Sequence, residues 1–526
     1  MSLLKSTGTI AGLTLVSRVL GFARDIILAR VLGAGMAGDA FQLAFRLPNT
    51  FRRLFAEGAF SVAYVPMFSR VLHGEGGHEG AQRFSQDVLS VFVPVLLLFT
   101  AVFEIIMPGF IWLLAEGYRG DPEKLALATQ LSRIAFPYLF FISLVSLLTG
   151  ILNSMSRFSA GASAPILFNM TLVTGALLGG WLRGDSGNSV IVAQTMAAAV
   201  ALSGIVQLIW LWYWVKKSGF TLKIRRPRLT PDVRELGRII VPATFGAGIY
   251  QVSQFIDTFF ATQLPLGSLT HLAMADRLNQ MPLGVIGIAL GTAILPALSR
   301  RIVADDGKGA NALQSEAIEL AMLLTLPAAA ALFLCAQAFV GAFFVGGAFT
   351  AEDGRITANV LSGIVCGLPA YVLVKVLTPG FFARKDTRTP VWTAAASLTV
   401  NVLLILAMIG PFGIVGLVAA GAGAAWFNTF LLYAILHKRG HYRAGGLLIA
   451  RLAKMLLATA LMSATLWWLT DALGPMIRSH ATILKLAGLT LLVGTGMAVY
   501  FGSAFLLHAF DREQFKALIK RKRRTA

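Results

Sequence analysis

Residues 87–114 read DVLSVFVPVLLLFTAVFEIIMPGFIWLL, an apolar run longer than the roughly 20 residues a helix needs to cross the hydrocarbon of a bilayer. Outward from it, windows of the same character recur at 10–32, 36–69, 126–152, 160–182 and 189–215. They continue at 235–262, 270–299, 316–345, 356–382, 389–410, 413–436, 447–470 and 482–509. The chain of 526 residues is 56% hydrophobic and only 13% charged, with a mean hydropathy of +0.73, whereas soluble domains carry roughly 25% charged residues. The pattern predicts an all-α integral membrane protein of about fourteen transmembrane helices. No sizeable soluble domain fits between the spans.

Arg18, Arg24 and Asp25 interrupt the first apolar stretch, so it is expected to stay as a span and not to be removed as a secretory signal. Cys335 and Cys366 both fall in apolar spans without metal or disulfide spacing, and both are expected to be buried and inert. The net charge of +20 need not mean nucleic acid. With a cytoplasmic N-terminus, Lys216 to Arg238, Arg300 to Lys308, Arg384 to Arg388, Lys438 to Arg443 and the tail Arg512 to Arg524 all fall inside. The outside loops keep little besides Arg30, Arg119, Lys124, Arg183, Arg355 and Arg478. That is the positive-inside pattern, which places both termini in the cytoplasm.

A weak repeat relates the halves. Pro66-Met67-Phe68-Ser69-Arg70 closes the second span, Pro296-Ala297-Leu298-Ser299-Arg300 closes the eighth, and Arg46-Leu47 answers Arg277-Leu278 upstream. Six spans return the chain to its starting side, so the halves are expected as parallel repeats: two six-helix lobes around a central cavity, plus two C-terminal helices. The expected domains are 1–217 as the N-lobe, 218–235 as a cytoplasmic linker, 236–440 as the C-lobe, and 441–526 as the appended pair with its basic tail. Thr230-Pro231-Asp232 reads as an N-cap with proline at the first helical position, opening a short helix along the cytoplasmic surface. The Gly175/Gly179 and Gly287/Gly291 pairs read as close helix packing.

Ionisable side chains within spans are costly and usually face a protein cavity with work to do. Arg18, Arg24 and Asp25 sit in the first span, and Asp39, Arg46, Arg52, Arg53 and Glu57 in the second. Asp257 lies in the seventh, Asp276 and Arg277 in the eighth, and Lys375 in the tenth. At about 100° per residue, Arg46, Asn49, Arg53 and Glu57 share one stripe, and Arg53 can pair with Glu57 at i, i+4. Pro48 and the length of this span point to a bend. The arginines outnumber their acids, and a cavity with surplus guanidinium suits an anion, phosphate above all, through the planar bidentate fork. The bland alternative is arginines that snorkel to an interface. There is no nucleotide-binding P-loop and no zinc spacing; His437 and His441 lie in a basic loop and read as solvated. Transport on an ion gradient or membrane potential fits better than ATP hydrolysis.

The runs Ser17-Arg18-Val19-Leu20-Gly21-Phe22-Ala23-Arg24-Asp25, Asp39-Ala40-Phe41, Leu47-Pro48-Asn49 and Arg52-Arg53-Leu54-Phe55-Ala56-Glu57-Gly58-Ala59-Phe60-Ser61 resemble the MurJ (MviN) family of lipid II flippases. Ala275-Asp276-Arg277-Leu278, Gly284-Val285-Ile286-Gly287 with Leu295-Pro296, and Lys375-Val376-Leu377 to Asp386-Thr387-Arg388-Thr389-Pro390 continue the match in order. The resemblance implies the fold of the multidrug/oligosaccharidyl-lipid/polysaccharide (MOP) exporter superfamily, in the bacterial cytoplasmic membrane. It implies flipping of lipid II, the undecaprenyl-pyrophosphate-linked peptidoglycan precursor, by alternating access and without catalysis. The implied headgroup-binding residues are Arg18, Arg24, Arg52 and Arg277, with Asp39 and Glu57 as gating or supporting acids beside Asp25, Asn49, Arg53 and Asp276. Asp257 and Asp386 are the implied sodium ligands, sodium or membrane potential being the coupling source; no organic cofactor is expected. Membrane lipids and cell-wall synthesis machinery are the other expected partners, and spans thirteen and fourteen are a candidate groove for the polyprenyl tail. The runner-up is another exporter of the superfamily: a drug or cation antiporter, which would want acids and aromatics in its cavity, or a polysaccharide-lipid flippase. An intramembrane enzyme on polyprenyl pyrophosphate would need a nucleophile or paired acids beside the arginines.

Overall fold

The computed structural model describes residues 3–53, 60–184, 187–479 and 481–510. Helices dominate, as they must where lipid offers the backbone no hydrogen bonds. Among the described residues nine helices are long and apolar enough to cross a membrane. One of them, Arg388–Lys438, covers two of the expected spans, with Gly413 at φ +55 marking a break inside it. The chain divides into two compact units: unit 1 comprises residues 1–270 and 346–349, and unit 2 comprises 271–345 and 350–526.

Unit 1 is built from α1 (Leu3–Leu32), α2 (Met36–Arg52), α3 (Ser61–His73), α4 (Gly77–Leu114), α5 (Pro122–Ala135), α6 (Tyr138–Ser154), α7 (Phe158–Arg183), α8 (Ser189–Lys217) and α9 (Pro231–Thr262). The expected second span is thus described as α2 and α3, with 54–59, and Glu57 among them, outside the described residues. The α7 helix packs along α1 and α8. Gly175 and Gly179 lie against Ala199 and Val192 of α8, where any side chain would collide, the close approach expected of small residues in membranes. Thr230 caps α9, its hydroxyl accepting from the Val233 N–H at 3.4 Å with Pro231 first in the helix. The cap stands as expected, but it opens no separate surface helix: α9 runs unbroken to Thr262. Phe51, Phe103, Phe110, Phe136 and Phe255 meet at centroid distances of 4.9 to 6.5 Å, packing that ties α2, α4, the end of α5 and α9 together. So α9, which sequence position puts at the start of the second lobe, packs against α3 and α4 in unit 1.

The segment 346–349 belongs to this unit although most of its chain neighbours do not. The Ala348 N–H donates to the Arg30 carbonyl at 2.7 Å, one of the C-terminal carbonyls of α1 that has no partner inside the helix. Gly347 makes the approach possible: its φ is +59°, and a side chain there would overlap that carbonyl.

In unit 2, α10 (Ser268–Pro282), whose first residues close unit 1, runs through a π-helical turn at Leu283–Gly287 into α11 (Ile288–Val303). Then follow α12 (Gly307–Leu334), α13 (Ala336–Phe343), α14 (Ala351–Val365), α15 (Leu368–Leu377), α16 (Pro379–Phe382), α17 (Arg388–Lys438), α18 (Gly446–Ala472), α19 (Gly474–Ile477) and α20 (Thr482–Leu506). The α18 and α20 helices pack on each other, and α18 also packs on α12. Their shared core includes Met455, Met462, Leu466, Leu492 and Tyr500. Near the start of α18, Arg451 donates to Glu319 of α12 at 2.7 Å, the two side chains 19% and 10% exposed. Cys335 is buried as expected, but Cys366 is exposed. It lies at the break between α14 and α15, where its thiol bonds the Ser362 carbonyl at 3.2 Å.

Candidate substrate-binding site

Arg24 is the most deeply held of the expected arginines. It is 6% exposed and Asp25 4%, an ion pair far from water. Neighbours on a helix do not face one another, yet the long guanidinium turns back so that Nε and one terminal nitrogen reach Asp25 Oδ1 at 3.0 and 2.6 Å. The other terminal nitrogen donates to Asn169 Oδ1 at 3.0 Å. Asn169, from α7, in turn donates to the Ser17 carbonyl at 3.0 Å, and Gly21 leaves the space it fills, a Cβ there lying 3.4 Å from its amide nitrogen. The rings of Phe45 and Phe168 flank the guanidinium at 5.8 and 5.6 Å, within cation–π range. Arg24 is therefore held on three sides before any ligand arrives.

Arg18, almost two turns earlier on α1, is exposed and makes no ion pair among the described residues. Arg52 is half-buried and Arg53 exposed at the end of α2; the partner expected for Arg53, Glu57, lies outside the described residues. Asn49 donates to the Phe45 carbonyl at 2.9 Å within its own helix, and Arg46 donates to Thr258 Oγ1 of α9 at 3.0 Å. Asp39 is 2% exposed and accepts from the N–H groups of Gly267 and Thr270 at 2.8 and 3.0 Å and from the Thr270 hydroxyl at 3.0 Å. It caps the start of α10 from a distant helix, supplying the carboxylate that orphan amide donors and the helix dipole favour.

In unit 2, Asp276 and Arg277 are half-buried on α10, and Gln280 reaches the Asp276 carboxylate at 3.4 Å. Gly287 and Gly291 make room for Lys375 of α15: a Cβ on Gly287 would lie 3.2 Å from Lys375 Cδ. The close packing expected of that pair is thus also a seat for a half-buried ammonium.

The two expected sodium ligands fall in different units, Asp257 half-buried on α9 and Asp386 before α17. Asp386 is committed elsewhere. One oxygen accepts from the Arg388 and Thr389 N–H groups at 3.1 and 3.0 Å, the other from the Thr389 hydroxyl at 2.6 Å and Arg439 at 2.7 Å. The Thr389 hydroxyl and N–H, then Arg439, hold its carboxyl far below the usual carboxylate range. Four donors fill the lone pairs a cation would need, so Asp386 works as a helix cap and ion-pair partner. Burial, then Arg384 and Arg439, push the nearby His441 imidazole down, and no group of three or more His, Cys, Asp or Glu that could hold a metal occurs among the described residues. Sequence reading missed Asn169, Glu319 and Arg451. Their one signal was a polar residue in an apolar run.

A chain of many long apolar helices with a buried, pre-oriented arginine is an integral membrane protein in class, and solved membrane transporters share its fold. An inward-facing multidrug resistance MATE family transporter of the MOP superfamily aligns over 84% of this chain and 95% of its own, with a TM-score of 0.59 at 15% identity. The solved structure of a lipid II flippase MurJ in its inward closed conformation aligns over 95% of this chain and 98% of its own, with a TM-score of 0.76 at 22% identity. The family model "Lipid II flippase MurJ" matches residues 28–483. A probable lipid II flippase MurJ from Rhizobium meliloti (strain 1021) is 40% identical over 99% of this chain and 97% of its own. The lipid II flippase MurJ of Burkholderia cenocepacia is 34% identical over 84% and 85%. The chain belongs to the MurJ lipid II flippase family, whose members are transporters and not enzymes.

Proposed function

We infer that this multi-pass inner-membrane protein carries lipid II from the inner to the outer leaflet by alternating access, with Arg18, Arg24, Arg52 and Arg277 binding the pyrophosphate. The observation that supports this most is Arg24: a guanidinium buried in a span, fixed by Asp25 and Asn169 and flanked by two rings, in a chain of this family. Orientation paid for in folding need not be repeated at binding. Arg18 supplies the accessible positive charge, since the Arg24 charge is balanced by Asp25. The surplus of arginine disfavours the drug or cation antiporter reading.

Arg18→Ala should fold as the parent does and bind lipid II about tenfold to a hundredfold more weakly, the effect of losing one charged hydrogen-bonding partner. Native mass spectrometry of the purified variant with lipid II reads this directly. In cells depleted of the native copy, lipid II should accumulate in the cytoplasmic leaflet. Affinity equal to the parent, or an unchanged leaflet distribution, removes the assignment.

The same reading arranges the chain as about fourteen spans, six in each lobe and two appended, with both termini in the cytoplasm. In a background lacking Cys335 and Cys366, cysteine at Gly120 or Arg355 should react with an impermeant thiol reagent on intact cells. Cysteine at Lys223 should not. Labelling at position 223 overturns the span order.

A further inference from the structure

In the first turn of α10 an ionisable side chain is buried where an apolar one would cost less. His271 is 2% exposed, and its Nε2 donates to Oδ1 of Asp353, in the first turn of α14, at 3.1 Å. Both residues belong to unit 2. The other carboxylate oxygen closes a capping box. It accepts from the Thr350 N–H at 2.8 Å and the Thr350 hydroxyl at 2.7 Å, while the Asp353 N–H donates back to that hydroxyl at 3.1 Å. Asp353 is therefore fixed by its own helix, and the imidazole meets a carboxylate already turned toward it. No spacing in the sequence links the two, which lie 82 positions apart.

The charges around the imidazole are few. On α14, Glu352 is near enough to interact with His271 and is itself paired with Arg355, whose Nε donates to it at 2.8 Å. Among the described residues no arginine or lysine pairs with Asp353. Along the chain of α10, Asp39 accepts from the adjacent Thr270 N–H and hydroxyl, and Asp276 lies more than a turn further on. Of the two carboxylates on α14, only Asp353 thus lacks a permanent cation, and its one basic neighbour is the side chain type that changes charge between about pH 5 and 8. A proton on the ring converts a neutral hydrogen bond into a charge-assisted one, roughly twice as strong. The way in for that proton is short, since the Asp353 side chain is 16% exposed and Thr350 beside it is exposed.

We propose that His271 and Asp353 form a proton-binding site that latches the start of α10 to the start of α14. The run of α10 ends in the π-helical turn Leu283–Gly287, and such turns are where helices bend. The helix is thus an arm hinged at one end and latched at the other, with Asp276 and Arg277 along it. With the imidazole protonated the latch is strong and the arm is held. As pH rises through the range in which imidazole loses its proton, the charge assistance goes and the latch weakens. On the topology proposed above this end of unit 2 lies outside, so acid outside the cell sets the latch. The site does not depend on which ligand Arg277 binds.

Hydrogen–deuterium exchange of the full-length protein in lipid nanodiscs tests this, read by mass spectrometry on the amides of residues 272–276. Parent and His271→Gln are compared at one pH at a time, so that intrinsic exchange chemistry cancels. At about pH 5.5 the parent should exchange about tenfold more slowly than the variant, and at about pH 8 by about threefold or less, the difference between a charged and a neutral hydrogen bond. Asp353→Asn keeps a side-chain oxygen for the cap and removes the charge, so it should lose the parent's extra protection at low pH. A protection ratio that is equal at the two pH values overturns the proposal and leaves a structural hydrogen bond. So does an Asp353→Asn variant that retains the parent's low-pH protection. If His271→Gln does not fold, the comparison of parent with Asp353→Asn decides by the same two ratios.

Discussion

Arg24→Ala should abolish lipid II binding and also destabilise unit 1 by about 3 to 5 kcal/mol, the cost of stripping one partner from a buried ion pair. The second effect follows from Asp25, which is 4% exposed and would lose the two charged hydrogen bonds that Arg24 gives it at 3.0 and 2.6 Å. Lysine is a poor substitute, because one ammonium cannot span Asp25 and Asn169 as the planar fork does. Loss of activity alone would therefore not separate a binding residue from a structural one. The double variant Arg24→Met with Asp25→Asn separates them: it removes both charges, so the thermal midpoint should return most of the way to the parent value while lipid II binding stays lost. If the double variant bound lipid II like the parent in native mass spectrometry, Arg24 would be a structural residue only.

Glu319→Ala should have an effect of the same size in unit 2. Arg451, 19% exposed at the side chain, would lose the carboxylate it donates to at 2.7 Å, again a loss of about 3 to 5 kcal/mol, and α18 would be held less firmly on α12. The expected readout is a lower thermal midpoint and faster proteolysis of the 439–445 connection. Replacing both members, Glu319→Leu with Arg451→Met, should recover the midpoint, since a well-packed apolar pair is often as stable as a buried ionic one. If α18 and α20 hold the polyprenyl tail, lipid II affinity should follow α18: reduced in Glu319→Ala and restored in the double variant. Affinity indifferent to both would detach the appended helices from substrate binding.

Much of this architecture was legible in the chain, and the reason is lipid. A run such as 87–114 has few stable fates besides a spanning helix, and a guanidinium in such a run demands a reason. The charged motif around Arg18 and Arg24 therefore pointed to a candidate site, and its resemblance to a family supplied the proposed chemistry. Partners were not legible. Nothing in the spacing of Asp25 says that Arg24 will fold back on it, or that Asn169, 145 positions away, completes the grip. Asp39 read as a gating acid, yet its visible work is to cap residues 228 and 231 positions downstream. The bend expected at Pro48 is not seen as a break, since α2 continues through it to Arg52. The cap at Thr230 was read correctly and its helix was not, because a cap fixes where a helix starts and says nothing of its length.

The return of residues 346–349 to unit 1 has a consequence for biogenesis. The ribosome releases residue 270 well before residue 346, a delay of roughly 4 to 15 seconds at typical rates of about 5 to 20 residues per second. Throughout that interval the end of α1 waits with the Arg30 carbonyl unclaimed by Ala348, while the first helices of unit 2 are already entering the membrane. Completion of the first half is thus deferred until the second is well under way, and a nascent chain stalled before residue 346 would display an open end at α1 where a quality-control protease could tell it from the finished protein.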